Sequence, residues 1–115
     1  MGQLTTHVLD TTNGLPGGDV CIDLFRLIGP RQHFKRVRTN QDGRTDTPLL
    51  EHSEFEPGVW ELVFGVGDYF RRTHQNSENP AFLDDVVIRV TLASDDHYHV
   101  PLLVSPFAYS TYRGS

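Results

Sequence analysis

Apolar and polar residues alternate along much of this chain, and the alternating runs are short. Between Val20 and Ile28, the residues Val20, Ile22, Leu24 and Ile28 fall on one side and Asp23 on the other. Val59-Trp60-Glu61-Leu62-Val63-Phe64 and Val86-Val87-Ile88-Arg89-Val90-Thr91-Leu92 repeat the pattern. A period of two over such lengths, rich in β-branched and aromatic side chains, marks half-buried strands. Turn chemistry separates the runs: Asn13-Gly14, Pro16-Gly17-Gly18, Gly29-Pro30, Asn40-Gln41-Asp42-Gly43 and Glu56-Pro57-Gly58. These signals predict strands over 3–9, 19–28, 34–39, 46–50, 58–66, 85–92, 97–104 and 108–112. Helical room exists only over 68–76, where Tyr69-Phe70 and Arg71-Arg72 precede Asn79-Pro80.

Strands at this spacing predict an all-β antiparallel sandwich with one short helix. No repeat, linker or low-complexity tract interrupts the 115 residues, so 1–115 reads as one domain. A chain of that length buries about two-thirds of its unfolded surface, enough for a core without staples. The apolar, aromatic run from Val100 to Tyr112 predicts a docked C-terminal segment, and the sandwich's open edges predict self-association.

Composition narrows the function classes. A hydrophobic share of 37% with 10% aromatics excludes a disordered tail. The single cysteine, Cys21, excludes an intrachain disulfide framework and a cysteine-built zinc site, and it reads as a small core residue. A net charge of -5 argues against non-specific nucleic-acid binding, which needs clustered cations. No stretch approaches the roughly 18 apolar residues that span a bilayer. The opening residues lack the basic and apolar regions of a secretory signal. No membrane association and a cytoplasmic location are therefore expected.

Candidate chemistry begins with the histidines. His97 and His99 flank Tyr98, so on a strand both point to one face, about 7 Å apart by the strand rise. His7 lies in another predicted strand beside Val8 and Leu9. Such residues are either hydrogen-bonded structural groups or parts of a site. As site residues they suit general acid–base catalysis near neutrality. A three-histidine zinc site on His7, His97 and His99 is the alternative. Arg44 follows the Asp42-Gly43 turn, where a guanidinium can hold a planar polar ligand in two hydrogen bonds. Asp95-Asp96 reads as a hairpin connection, and Gly65-Val66-Gly67 lacks the spacing and lysine of a phosphate loop.

Several motifs, in order along the chain, resemble the transthyretin-related family. They are His7-Val8-Leu9-Asp10-Thr11-Thr12-Asn13-Gly14-Leu15-Pro16, Asp42-Gly43-Arg44, Gly67-Asp68-Tyr69-Phe70, His97-Tyr98-His99-Val100-Pro101-Leu102-Leu103 and Tyr109-Ser110-Thr111-Tyr112-Arg113-Gly114-Ser115. The closing Tyr-Arg-Gly-Ser and the opening histidine resemble the family's enzymatic branch, which hydrolyses 5-hydroxyisourate, and not the hormone carriers. The resemblance implies a transthyretin-like sandwich of two four-stranded sheets with one short helix. It implies a homotetramer, a dimer of dimers, with sites in a channel between dimers. The implied reaction is ring-opening hydrolysis of 5-hydroxyisourate to 2-oxo-4-hydroxy-4-carboxy-5-ureidoimidazoline, on the route from urate to allantoin, with no cofactor. The family's catalytic residues fall on His7, Arg44, His99 and Tyr112, with Ser115 closing the motif. Substrate-binding positions fall on His7, Arg44, His97, Tyr112 and Arg113. A carrier without catalysis and the zinc hydrolase are the competing functions.

Overall fold

The computed structural model describes residues 2–73 and 80–114. Its strands are β1 (Gln3–Asp10), β2 (Leu15–Pro16), β3 (Cys21–Leu27), β4 (Arg31–Arg38), β5 (Gly58–Phe64), β6 (Val86–Leu92), β7 (His97–Val104) and β8 (Tyr109–Thr111). One helix, α1 (Val66–Arg72), leads out of β5. The strands form two four-stranded sheets, ordered β2-β1-β7-β8 and β4-β3-β5-β6.

Alternation decides which face of each strand turns inward. In β1, Leu4, Thr6, Val8 and Asp10 are buried while Gln3, Thr5, His7 and Leu9 stay half-buried. In β7, Tyr98, Val100, Leu102 and Val104 turn inward with them. They meet Ile22 and Leu24 of β3, Trp60, Leu62 and Phe64 of β5, and Val86, Ile88 and Leu92 of β6 in one cluster. Each large apolar side chain so buried contributes about 1.5–3 kcal/mol. A one-residue slip of β1 would bring Thr5 and His7 inward in place of Leu4 and Val8, so packing holds the register. Buried Thr6 is satisfied across the sheet, its Oγ1 donating to the Val100 carbonyl at 2.7 Å. Tyr69 of α1 donates its hydroxyl to Asp10 at 2.9 Å, tying the helix to β1.

Several local expectations change. β1 runs parallel to β7, from Gln3 beside His97 to Asp10 beside Val104, while the other strand pairs are antiparallel. Alternation carries no information on strand direction, and the chain crosses the second sheet between these two strands. The stretch 46–50 is not a strand. It makes one bridge, Leu50 to Leu4, because Pro48 has no N–H to give a ladder. The two-residue β2 lies inside what reads as turn sequence. Ile28 lies past the end of β3 and is half exposed, where the Gly29 turn (φ +64°) reverses the chain into β4. That strand starts at Arg31, earlier than the expected 34. Cys21 is half-buried, on the side of β3 facing away from the core. The helix begins at Val66, which shortens β5, and ends at Arg72; the expected continuation to 74–76 lies outside the described residues. Among the described residues, no helix is long and apolar enough to cross a membrane.

Candidate active site

The parallel pairing of β1 with β7 is what gathers the histidines. On the face turned away from the core, β1 presents Thr5 and His7 and β7 presents His97 and His99. Register places Thr5 beside His99 and His7 beside Pro101, one step further along. The Thr5 hydroxyl lies 2.9 Å from His99 Nδ1 and 3.0 Å from His97 Nε2, bridging the two imidazoles. Neither sequence motif contains that contact, since its partners stand more than ninety residues apart.

A loop completes the site from the other side of β1. The Gly43 carbonyl accepts the Val8 N–H at 2.7 Å, and Leu4 and Leu50 exchange backbone hydrogen bonds at 3.0 and 3.3 Å. Gly43 sits at φ +74°, and a Cβ there would lie 2.3 Å from the Val8 carbonyl oxygen and 3.3 Å from His7 Cδ2. Only glycine fits that approach and that backbone. Asn40 holds the turn together: its side-chain oxygen accepts the Asp42 and Arg44 N–H groups at 2.9 and 3.2 Å. Its amide donates to Asp46 at 3.0 Å. Arg44, next after Gly43, is thereby delivered over the histidine face.

The result is an open cleft of about 410 Å³ lined by Thr5, Arg44, Asp46, Pro48, His97 and His99 with neighbouring threonines. Seven of the nine arginines form ion pairs among the described residues; Arg44 forms none there. Its charge is left for a ligand. Burial, and then the nearby Arg44, His7 and His97, hold the His99 imidazole below its usual pKa. His99 is therefore uncharged at neutral pH and fit to accept a proton. Its Nε2 has no hydrogen-bond partner among the described residues, whereas Nδ1 is taken by Thr5.

The C-terminal segment reaches the site by its backbone. Gly114 N–H donates to the His99 carbonyl at 2.7 Å. A Cβ on Gly114 would lie 2.6 Å from His99 Cδ2, so the chain lies directly against the ring. Tyr112 and Arg113 are placed elsewhere. They line a second hollow of about 420 Å³ between β6 and β7, where the Arg113 guanidinium stands 4.2 Å from the Tyr98 ring. Arg113 also pairs with Asp96 at 3.3 Å. Within one chain, then, His7, Arg44, His97 and His99 gather around one face, and Tyr112 and Arg113 do not join them. Ser115 lies outside the described residues. Among the described residues, no three of His, Cys, Asp and Glu gather as a metal-binding group, so His7, His97 and His99 do not converge as the zinc alternative requires.

The family profile described as HIUase/Transthyretin matches residues 4–114. The chain belongs to that family. The 5-hydroxyisourate hydrolase of Pseudomonas aeruginosa is 54% identical over 117 residues, covering 100% of this chain and 93% of that protein. The 5-hydroxyisourate hydrolase of Ralstonia nicotianae is 56% identical over 117 residues, covering 100% of both. Among solved structures, that of Klebsiella pneumoniae 5-hydroxyisourate hydrolase matches with a TM-score of 0.81 at 30% identity, covering 100% of this chain and 94% of that one. The sandwich predicted from alternation is the family fold, and the family predicted from motifs is the one that matches.

Proposed function

We propose that this chain hydrolyses 5-hydroxyisourate to 2-oxo-4-hydroxy-4-carboxy-5-ureidoimidazoline, a ring-opening step in urate degradation, and that it does so as a single transthyretin-like domain. The observation that carries the mechanism is the placing of His99, its Nδ1 held by Thr5 and its pKa lowered by burial, in one cleft with an Arg44 that has no ion-pair partner among the described residues. His99 Nε2 takes a proton from water as the water oxygen bonds to the ring carbonyl carbon, a step worth roughly 10²–10⁴-fold. Arg44 stabilises the negative charge that develops on the carbonyl oxygen, worth about 3–4 kcal/mol for a well-placed donor. The carbon–nitrogen bond then breaks, and the proton taken up by His99 passes by way of His7 to the departing nitrogen, which returns both imidazoles to their starting state. These are the chain's own residues; the reading calls on no cofactor.

The proposed assembly is a cytoplasmic homotetramer, a dimer of dimers. Leu15, Phe82, Phe107 and Tyr112 are each more than half exposed, which leaves apolar surface for other copies to cover. Tyr112 and Arg113 are assigned to orienting the substrate in the channel between dimers, and Ser115, which closes their motif, is assigned to the same task.

The test is the ultraviolet decay of 5-hydroxyisourate generated from urate by urate oxidase. Wild-type protein is expected to accelerate the decay. His7→Ala and His99→Ala are expected to lose that acceleration by orders of magnitude at unchanged sedimentation. Decay unchanged by the folded wild type would leave a carrier as the working function.

A further inference from the structure

The shared hydroxyl between His97 and His99 has a consequence for the hydrogen positions. A threonine hydroxyl has one proton to donate and two lone pairs to accept with. It touches His99 through Nδ1 and His97 through Nε2. If the hydroxyl proton points to His99, then His99 Nδ1 is bare and its proton sits on Nε2, which cannot then accept one from water. If it points to His97, then His99 donates Nδ1–H to the threonine and its Nε2 is free. If the oxygen accepts from both rings, His99 again carries its proton on Nδ1, so only a hydroxyl proton turned toward His99 closes Nε2 to water.

We infer that Thr5 is a positioning residue: its hydroxyl, donating to His97 Nε2, locks His99 in the Nδ1–H tautomer and so makes Nε2 the base. His97 then serves as the acceptor that turns the hydroxyl the right way. Two features of the surroundings support this arrangement. His99 Nε2 has no partner among the described residues, so nothing competes for the free nitrogen on that side. His97 is exposed on the strand end while His99 is half-buried, so the outer ring adapts to solvent and the inner one is held. The groups that face His99 are Arg44 from the loop, His7 and Thr5 from β1, His97 on its own strand and the Gly114 backbone from the terminal segment. None of the others is hydrogen-bonded to the ring. When His99 becomes an imidazolium, Nδ1–H continues to donate to Thr5, so the same contact steadies the charged form. This inference rests on the hydrolase reading, but its readouts do not all pass through activity.

The decisive measurement is nitrogen-15 NMR of the imidazole rings in wild-type protein above pH 7, with His99 assigned through His99→Gln. The Nδ1–H tautomer is expected for His99, and an Nε2–H tautomer overturns the inference. Thr5→Val keeps the shape and strand propensity but removes the hydroxyl, and Thr5→Ser restores it. In Thr5→Val the His99 signal is expected to shift to a mixture of tautomers. Its kcat is expected to fall about tenfold or more, within the range general-base catalysis supplies, with KM within about twofold. Thr5→Ser is expected to recover kcat to within about threefold. A Thr5→Val variant with wild-type kcat and an unchanged His99 tautomer overturns the inference while leaving the hydrolase reading standing. A wild type without activity overturns the hydrolase reading, and the tautomer measurement still decides the role of Thr5.

Discussion

Gly43→Ala is the substitution with the most informative cost. The added methyl would stand 2.3 Å from the Val8 carbonyl oxygen, a backbone atom in the middle of β1 that has no rotamer to escape into. The backbone there also has φ +74°, which costs an alanine about 1–2 kcal/mol. To relieve the contact the loop must lift, which breaks the 2.7 Å hydrogen bond from Val8 N–H to the Gly43 carbonyl. Leaving that buried N–H unpaired costs about 1–3 kcal/mol. The sum is roughly 2–5 kcal/mol of stability, read from urea denaturation at matched protein concentration. Activity should suffer more, because Arg44 moves with the loop, and a 1 Å misplacement of a positioning group costs on the order of 10²-fold. Gly14→Ala supplies the control. It shares the positive φ, +67°, but a Cβ there meets nothing within 4 Å. It should lose only the backbone term of about 1–2 kcal/mol and keep its turnover. Equal losses in the two variants, with full turnover in both, would refute the claim that close approach of Gly43 to β1 sets the position of Arg44.

Two further predictions follow from charge. Arg44→Gln should lower kcat by about 10²–10³-fold with stability within about 0.5 kcal/mol, since Arg44 is exposed and forms no ion pair among the described residues. The same change removes a cation from beside His99, so the imidazole pKa should rise and the acid limb of the kcat/KM profile should move to higher pH. A profile that stays in place would remove Arg44 from the electrostatics of His99. Glu61 is a buried carboxylate held below its usual pKa by hydrogen bonds from Arg31 and Arg89, at 2.8 and 2.9 Å. Its folded pKa lies below the unfolded 4.5, so its contribution is complete above that value and is lost as pH falls through the folded one. Acid titration of unfolding should show wild type losing stability faster than Glu61→Gln below about pH 4.5, and parallel curves would contradict the assignment.

The sandwich was legible because Ile22, Leu24, Trp60, Leu62, Phe64 and their counterparts obey a period of two, and burial enforces that period. Direction and partner were not legible, because the parallel register of β1 and β7 is set by packing across the whole chain. The motif residues His7, Arg44, His97 and His99 could be named from the sequence. Thr5 could not, since its role depends on standing opposite His99 and not on anything in its own strand. Gly43 read as a turn residue, while its docking on Val8 became visible only in three dimensions. Tyr112 and Arg113 share a motif with Gly114, yet Arg113 turns to Tyr98 and Asp96 while Gly114 lies on His99. Adjacency in sequence did not mean adjacency in the site.

The parallel pairing also dictates when the site can come into being. In the second sheet β3 pairs with β4 and β5, and β5 with β6, all within residues 21–92, so it closes through successive antiparallel contacts. In the first sheet β1 waits for β7, which follows it by more than ninety residues. Loop-closure entropy makes such distant pairings the late and slow ones. During synthesis, at about 5–20 residues per second, β1 leaves the ribosome well before β7, with Leu4 and Val8 not yet covered by it. His7 and Thr5 then meet His99 only once β7 has emerged. The order of synthesis thus separates the building of the scaffold from the onset of chemistry: no fragment lacking β7 can carry the cleft.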